Sequence, residues 1–389
     1  MSAPAPATHA RPVARDTQDD EQTRDPQNAG ATRWRTALLL PAGLALLSGL
    51  DAALLLLGLP APVDAERLPE VHGMLMVLGF LGTLIALERA VALGRRAGYA
   101  APALLGVGAI LLLSPAPLGL GRAVLVAGTG ALTATYLPLW RRQRDDAVLV
   151  QALGAVLAVG ASLLWLADVP VAALLPWLVG FVVLTIAGER LELARIGLGV
   201  GAGGVLVLLA SALLAAVTAS LLWPAVGTVL LGLALLVLTG WLAFHDVARR
   251  TVRGTGLPRY AACCLLAGYA WLAVAGATWL VGGPADAGVR YDAVVHASFL
   301  GFAMSMVMAH APVILPAVVR RPLPYRPAFY GPVVLLNASL ALRLWAGDAL
   351  GSHGAWVVGG VLNIVALVSF VTVAAWSATR STARAGRTR

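Results

Sequence analysis

The stretch from Tyr291 to Pro316, YDAVVHASFLGFAMSMVMAHAPVILP, is where the fold can be predicted most directly. It is one long apolar run, enough for a helix to cross ~30 Å of hydrocarbon. It also carries His296 and His310, two of only six histidines in the chain. Their spacing is close to four helical turns, so they share a face but lie about 21 Å apart. They cannot bind one metal ion together, and a partner for His296 must come from another helix.

The composition of the whole chain agrees with this first helix. Of the 389 residues, 59% are hydrophobic and only 12% are charged, and the mean hydropathy is +0.83. A soluble domain has about a quarter of its residues charged. We therefore predict an all-α integral membrane protein with about twelve transmembrane helices. The predicted spans are 36–59, 70–93, 98–114, 121–140, 147–167, 170–190, 196–221, 224–245, 258–282, 290–316, 326–346 and 353–378.

The arginines predict the orientation of these helices. With the N-terminus inside, 24 of the 28 basic residues, all of them arginine, fall on the cytoplasmic side. The four on the outer side are Arg67, Arg122, Arg290 and Arg343. Positive charge is retained on the cytoplasmic side of membrane proteins. We expect both termini to be cytoplasmic in a bacterial-type inner membrane, with the lipid bilayer rather than nucleic acid explaining the basic composition.

Three segments follow from composition. Residues 1–32 are rich in Ala, Pro, Asp, Gln and Thr and poor in large apolar side chains, which predicts a disordered cytoplasmic tail. Residues 33–379 form a single twelve-helix membrane domain. Residues 380–389 form a basic cytoplasmic tail.

An internal repeat links the second, sixth and tenth spans. Gly79 to Arg89 reads GFLGTLIALER, and Gly180 to Arg190 reads GFVVLTIAGER. The tenth span begins the same way at Gly301-Phe302 and places His310 where the other copies have glutamate. Since the copies are four spans apart, the repeat predicts three pseudo-symmetric arcs of four helices. A transporter of the major facilitator type would instead repeat every three helices.

Two histidines fall at matching depths on different helices. Even-numbered helices all run inward, so His72 at the start of helix two and His296 near the start of helix ten both lie near the outer face. This arrangement resembles the catalytic subunit of the heme-copper oxidases, in which three arcs of four helices hold a low-spin heme between one histidine on helix two and one on helix ten.

A second resemblance is to the NnrS family, twelve-helix heme proteins linked to nitric oxide stress. His72-Gly73-Met74 is similar to its His-x-Met sequence near a helix start, and His296-Ala297 to Gly301 is similar to its later His-Ala-x-x-x-Gly. The resemblance implies heme b and a role in nitric oxide or respiratory redox metabolism. It also implies an electron-transfer partner or a small gaseous ligand. Helices six and seven carry no histidine, so the copper ligands of a true oxidase are absent and oxidase-type oxygen reduction is not expected.

Physical chemistry supports the same two residues. Neutral imidazoles on facing helices can ligate heme iron, provided that the other ring nitrogen of each donates to an acceptor. Heme propionates need cations near the interface, and Arg343 and Arg290 are placed for this role. The alternative is that His72 and His296 are interfacial histidines bonded to water and neighbouring groups.

The methionines give a different candidate cofactor. Apart from Met1, all of them lie on the same two helices as these histidines, and thioether with imidazole favours Cu(I) or heme iron. Met76, one turn below His72, is the candidate at the outer site. The alternative is that methionine fills gaps in a packed core. The methionines are Met74, Met76, Met304, Met306 and Met308.

A polar cluster is predicted at the cytoplasmic ends of the repeat helices. Charged residues at bilayer depth are costly and require partners. One interpretation is a proton or ion path in a permease, with the glutamates as carriers. The other is structural, with Glu–Arg pairs fixing helix ends and arginine reaching the interface. The residues are Glu88, Arg89, Glu189, Arg190 and His310. His245-Asp246 is expected to be a solvated helix exit. No residue is assigned a catalytic role.

Overall fold

The computed structural model describes residues 35–193, 201–320 and 322–385, and this part of the chain is helical. Within it, twelve helices are long and apolar enough to cross a membrane, which confirms the predicted number. They are α1 (Arg35–Leu56), α2 (Arg67–Leu93), α3 (Arg96–Leu113), α4 (Leu118–Gln143), α5 (Asp146–Leu166), α6 (Val171–Leu193), α7 (Ala202–Leu222), α8 (Pro224–His245), α9 (Gly256–Gly282), α10 (Gly288–Val318), α11 (Pro327–Ala349) and α12 (His353–Arg380).

The helices end where the sequence changes character. Gly94 ends α2 in the left-handed conformation, with φ of +70°, which glycine adopts without strain. The Asp145 side chain accepts the Ala147 N–H and caps the start of α5. Pro224 opens α8 directly after Trp223, which alone separates this helix from α7.

The structure bears differently on the two predicted tails. The predicted N-terminal tail, residues 1–32, lies outside the described residues. At the other end, the last helix continues to Ala385, beyond the predicted end of the membrane domain at residue 379.

The helices of the repeat occupy the middle of the bundle. In α2, α6 and α10, 72%, 78% and 61% of the most apolar window is buried, whereas no other span exceeds 56%. Consecutive helices pack side by side along the chain, and α12 closes the bundle through a narrow contact with α1. The positions matched by the repeat therefore lie at the centre of the molecule.

The repeated glycines have a packing role. A Cβ on Gly301 would lie 2.4 Å from Cγ of Trp271 on α9, and one on Gly180 would lie 2.5 Å from Cδ1 of Leu157 on α5. Contacts below 3.0 Å cannot be accommodated without movement. Close approach of neighbouring helices in membranes commonly depends on such small residues.

Three of the helices contain wide turns that the sequence did not predict. Eight-residue π-helical segments occupy Leu75–Gly82 in α2, His296–Ala303 in α10 and Leu342–Ala349 in α11. Such segments are rare and frequently mark functional sites. These three either contain or closely follow the outer histidines and Arg343. Following the predicted orientation, we refer to the end of the bundle with His72 and Arg343 as the outer end, and to the opposite end as the inner end.

Candidate functional site

His72 is held by the backbone of α1. Its Nδ1 lies 2.9 Å from the carbonyl oxygen of Gly49. Because a carbonyl oxygen can only accept, Nδ1 carries the proton and Nε2 retains its lone pair. The side chain of Met76 packs on the same glycine, where a Cβ would lie 2.4 Å from the Met76 sulfur. Gly49 thus supplies both an acceptor for His72 and space for Met76.

His296 is held in a similar way by its own helix. Its Nδ1 lies 3.0 Å from the backbone carbonyl of Asp292 and 3.2 Å from Oδ1 of the same residue. Both partners are oxygen acceptors, so Nδ1 is the protonated nitrogen of this ring. In both histidines, therefore, Nε2 is the nitrogen available to a metal, and no partner for it occurs among the described residues.

Asp292 also binds Arg343 from α11. The Nε and Nη2 groups of Arg343 donate to the two carboxylate oxygens of Asp292 at 2.9 and 2.7 Å. The guanidinium lies over the ring of Trp356, 4.6 Å from its centre. Such a bidentate ion pair fixes the orientation of the Arg343 side chain and neutralises the two charges. Sequence reasoning did not single out Asp292, although its position four residues before His296 places it one turn away on the same helix.

The two histidines and Arg343 share one region of the outer end. His72 lies within electrostatic range of both His296 and Arg343. Its side chain is partly buried. Arg290, the other cation predicted for this site, is exposed and donates to the carbonyl of Gly282 instead.

Few side chains that could bind a metal lie close together. Among the described residues, no group of three or more His, Cys, Asp or Glu side chains could hold a metal ion. A bis-histidine heme site needs only two protein ligands, so this criterion does not apply to it. The predicted Cu(I) alternative would use the methionines, and Met306 and Met308 are buried in the core farther along α10.

At the inner end, Arg190 forms a buried network. Its Nε and Nη2 donate to the two carboxylate oxygens of Asp246 at 2.8 and 2.9 Å. The Tyr269 hydroxyl donates to the same carboxylate at 2.6 Å. Arg190 Nη1 lies 3.3 Å from Nε2 of His310, which must act as the acceptor because guanidinium has no lone pair to offer. The network ties α6, α9 and α10 to the end of α8.

The predicted solvated exit at His245-Asp246 is wrong for the second residue. His245 is exposed, but the Asp246 side chain is only 1% exposed. Burial by itself would raise the pKa of Asp246, but the hydrogen bonds and charge of Arg190 outweigh it and hold the pKa below its ordinary value. The sequence could not reveal this because the partner lies 56 residues away on another helix.

Arg89 forms the corresponding network on α2. It donates to the Glu88 carboxylate, to Oε1 of Gln151 at 2.9 Å and to Glu192 at 3.3 Å. Gln151 on α5 is fully buried and also lies 3.4 Å from the Glu192 carboxylate. Both inner arginines therefore connect helices to one another, as the structural interpretation expects, but Arg190 pairs with Asp246 rather than with Glu189, and both side chains are buried rather than reaching the interface.

The network predicts a measurable contribution from Gln151. Replacement of Gln151 with leucine should lower the free energy of unfolding by about 1–3 kcal/mol, because Arg89 loses a buried acceptor. Thermal unfolding of the purified protein in detergent would measure this. Gln143→Leu is the matched control, since Gln143 is exposed at the end of α4. Equal melting temperatures for the two variants would contradict the prediction.

The glutamates differ from the arginines in their surroundings. Glu189 is 7% exposed and has no hydrogen-bond partner among the described residues. Glu189, Glu88 and His310 line the same cavity of about 1400 Å³ at the inner half of the bundle. This cavity lies between α1, α2, α6, α10 and α12, and its remaining walls are mostly apolar. Neither His72 nor His296 is part of its lining.

The chain matches a known family model. A family model described as Domain of unknown function (DUF8744) matches residues 35–379, which is nearly all of the part that the structure describes. No curated protein and no solved structure matches the chain.

Proposed function

The chain therefore belongs to the DUF8744 family, and we propose that it is a multi-pass membrane heme b protein with His72 and His296 as the two axial ligands. The main support for the proposal is that the two imidazole rings have the same tautomer. Each has its Nδ1–H directed to an oxygen acceptor, so each keeps an Nε2 lone pair for iron. Histidine ligands of metals typically have this second hydrogen bond, which fixes the ring and its tautomer.

Two features of the surroundings support this proposal. The two histidines come from different helices, and both side chains are partly accessible. Wide turns lie directly beside them in α2 and α10. When bound, a heme whose two axial positions are both taken by imidazole would supply one-electron redox chemistry. The protein holds the rings in place through Gly49 and Asp292.

Arg343 is suited to a propionate even though it is paired with Asp292. Two of its donor groups are used by that carboxylate, while Nη1 has no hydrogen bond to the described residues. Gly359 and Gly360 of α12 leave room for this side chain, since a Cβ on either would lie within 2.8 Å of Arg343 atoms. Arg343 can therefore hold Asp292 and a propionate together.

The wider role rests on resemblance to the heme-copper oxidase and NnrS groups. We propose three arcs of four helices, both termini in the cytoplasm of a bacterial-type inner membrane, and a role in nitric oxide or respiratory redox metabolism. The partner would be an electron-transfer protein or a small gaseous ligand. The central position of α2, α6 and α10 supports the arcs, and the arginine distribution supports the orientation.

The proposal is tested by the absorption spectrum of protein purified from heme-replete cells. We expect a Soret band, and an α-band after reduction, at about one heme per chain. His72→Ala and His296→Ala should each abolish the low-spin spectrum, because one imidazole cannot provide both axial ligands. His245→Ala and His353→Ala are matched controls, since both histidines are exposed, and they should retain it.

Colourless wild-type protein that is monodisperse would overturn the proposal. Retention of the full spectrum in both alanine variants of the outer site would overturn the ligand assignment. Copper at one atom per chain in place of heme would favour the Cu(I) alternative.

A further inference from the structure

The cavity at the inner half of the bundle is large and mostly apolar, so it suits an apolar ligand. Its volume of about 1400 Å³ exceeds the 300–1,000 Å³ of ordinary ligand pockets. Aromatic, aliphatic and methionine side chains form most of its wall. Examples are Leu46, Phe80, Ile186, Met306, Leu367 and Phe370.

One end of this cavity carries acidic side chains. Glu189 projects into it from α6 and is buried without a hydrogen-bond partner among the described residues. Glu88 lines the same end from α2. An ionised carboxylate is costly to remove from water unless a cation or a hydrogen-bond donor accompanies it. Ionised Glu189 would therefore be stabilised by a cation or a hydrogen-bond donor bound in the cavity.

The neighbouring cations do not supply that partner. Arg190, adjacent in sequence to Glu189, is directed away into its two-pronged pair with Asp246. His310 accepts from Arg190 through Nε2, so this imidazole is neutral. Arg320, the cation in the cavity lining, is exposed at the inner rim. Arg89 donates to Glu88, Gln151 and Glu192, so Glu189 has no direct hydrogen-bond partner among the described residues.

The cavity also has a side opening. Helices α1 and α12 form two of its walls and make only a narrow contact with each other. Thr36 on α1 and Val371 and Ala375 on α12 line the cavity and are exposed. Because these helices face outward from an apolar bundle, the opening admits molecules that are dissolved in the lipid.

We propose that this cavity binds a lipophilic cation, an amine carried on an extended apolar body, with Glu189 as its counter-ion. The apolar walls accept the body, and the Glu189 carboxylate pairs with the ammonium group, since Glu88 is already paired with Arg89. The site is separate from the outer histidines, which are not part of the lining. This inference goes beyond the proposed heme function and does not depend on it.

Photolabelling tests the proposal. The full-length protein in lipid nanodiscs is exposed to a long-chain primary amine bearing a diazirine, and in parallel to its uncharged N-acetyl derivative. Labelled peptides are identified by mass spectrometry. We expect the amine, but not the acetylated probe, to label peptides that contain Phe80, Met306 or Phe370.

Substitutions make the test specific. Glu189→Gln should lower labelling of these peptides about tenfold, which corresponds to roughly 1.4 kcal/mol of binding free energy. Glu189→Asp keeps the charge and should retain most of the labelling. Glu192→Gln is the matched control, because Glu192 lies on the same helix but not in the cavity lining.

Three results would overturn the proposal: equal labelling by the acetylated probe, unchanged labelling of Glu189→Gln, or labels confined to other surfaces. A variant that fails to fold is recognised by size-exclusion chromatography, and Glu189→Asp then decides the role of the charge. His72→Ala should still be labelled. Loss of heme and loss of amine binding are therefore separate outcomes.

Discussion

Replacement of Asp246 with alanine should destabilise the protein by about 3–5 kcal/mol, the usual cost of leaving one partner of a buried ion pair without the other. Arg190 would lose both carboxylate hydrogen bonds, and Tyr269 would lose its acceptor. The measurement is the apparent melting temperature of the purified protein in detergent, together with its monodisperse fraction.

Two variants control this experiment. Asp168→Ala removes a carboxylate that also pairs with an arginine, Arg122, but whose side chain is 83% exposed, and it should change stability by less than about 1 kcal/mol. The double variant Asp246→Ala/Arg190→Leu should recover much of the loss, because an apolar side chain replaces the unpaired cation. A double variant no more stable than Asp246→Ala would contradict this account.

The same ion pair should resist acid. Burial opposes ionisation of Asp246, but Arg190 outweighs it, so the pKa in the folded protein lies below the ordinary 3.8. The pair then contributes its full stability above that value, and loses it only as the pH falls through the lowered pKa. The stability difference between wild type and Asp246→Ala should accordingly be constant from neutral pH to about pH 5.

Replacement of Asp292 with alanine should cost about 3 kcal/mol and loosen the outer site. Arg343 is 6% exposed and would keep its charge without a carboxylate partner. His296 would lose the side-chain acceptor but keep the backbone carbonyl of residue 292. We therefore expect lower thermal stability and, in the proposed heme protein, a shifted reduction potential rather than loss of heme.

Arg290→Ala is the matched control for this prediction. Arg290 lies two residues from Asp292 on the same helix, is exposed and bonds only to a backbone carbonyl among the contacts described. Its removal should leave both stability and spectrum near wild type. Asp292→Ala with a melting temperature equal to that of Arg290→Ala would show that the pair with Arg343 contributes little.

Both predictions concern residues whose partners the sequence did not identify. The run of charges at His245-Asp246 and Arg249-Arg250 looks like an ordinary helix end, since charged residues usually lie at the interface. Only the position of α6 beside this end buries Asp246 against Arg190. Asp292 was overlooked for a different reason. It lies beside the predicted ligand on the same helix, but its importance depends on Arg343 of α11.

The winding of α10 also differs from the regular α-helix assumed in the sequence analysis. The relation between His296 and His310 was inferred from 3.6 residues per turn, yet residues 296–303 are wound as a π-helix. There the backbone bonds close over five residues rather than four, so α-helical spacing cannot be carried across the segment. The spacing of hydrophobic residues does not reveal where a helix changes from α to π winding.

The sequence by itself determined the twelve apolar helices and the repeat that links α2, α6 and α10, whereas the central position of these three came from the structure. Apolar length is a local property that one segment carries alone, and the repeated Gly-Phe pairs mark helices that pack closely on their neighbours. The tertiary structure decided which polar groups meet. It paired Arg190 with Asp246 and Arg343 with Asp292, and left Glu189 facing a cavity. Such pairing depends on the rotation and depth of helices that are far apart in the chain, and no single segment specifies these.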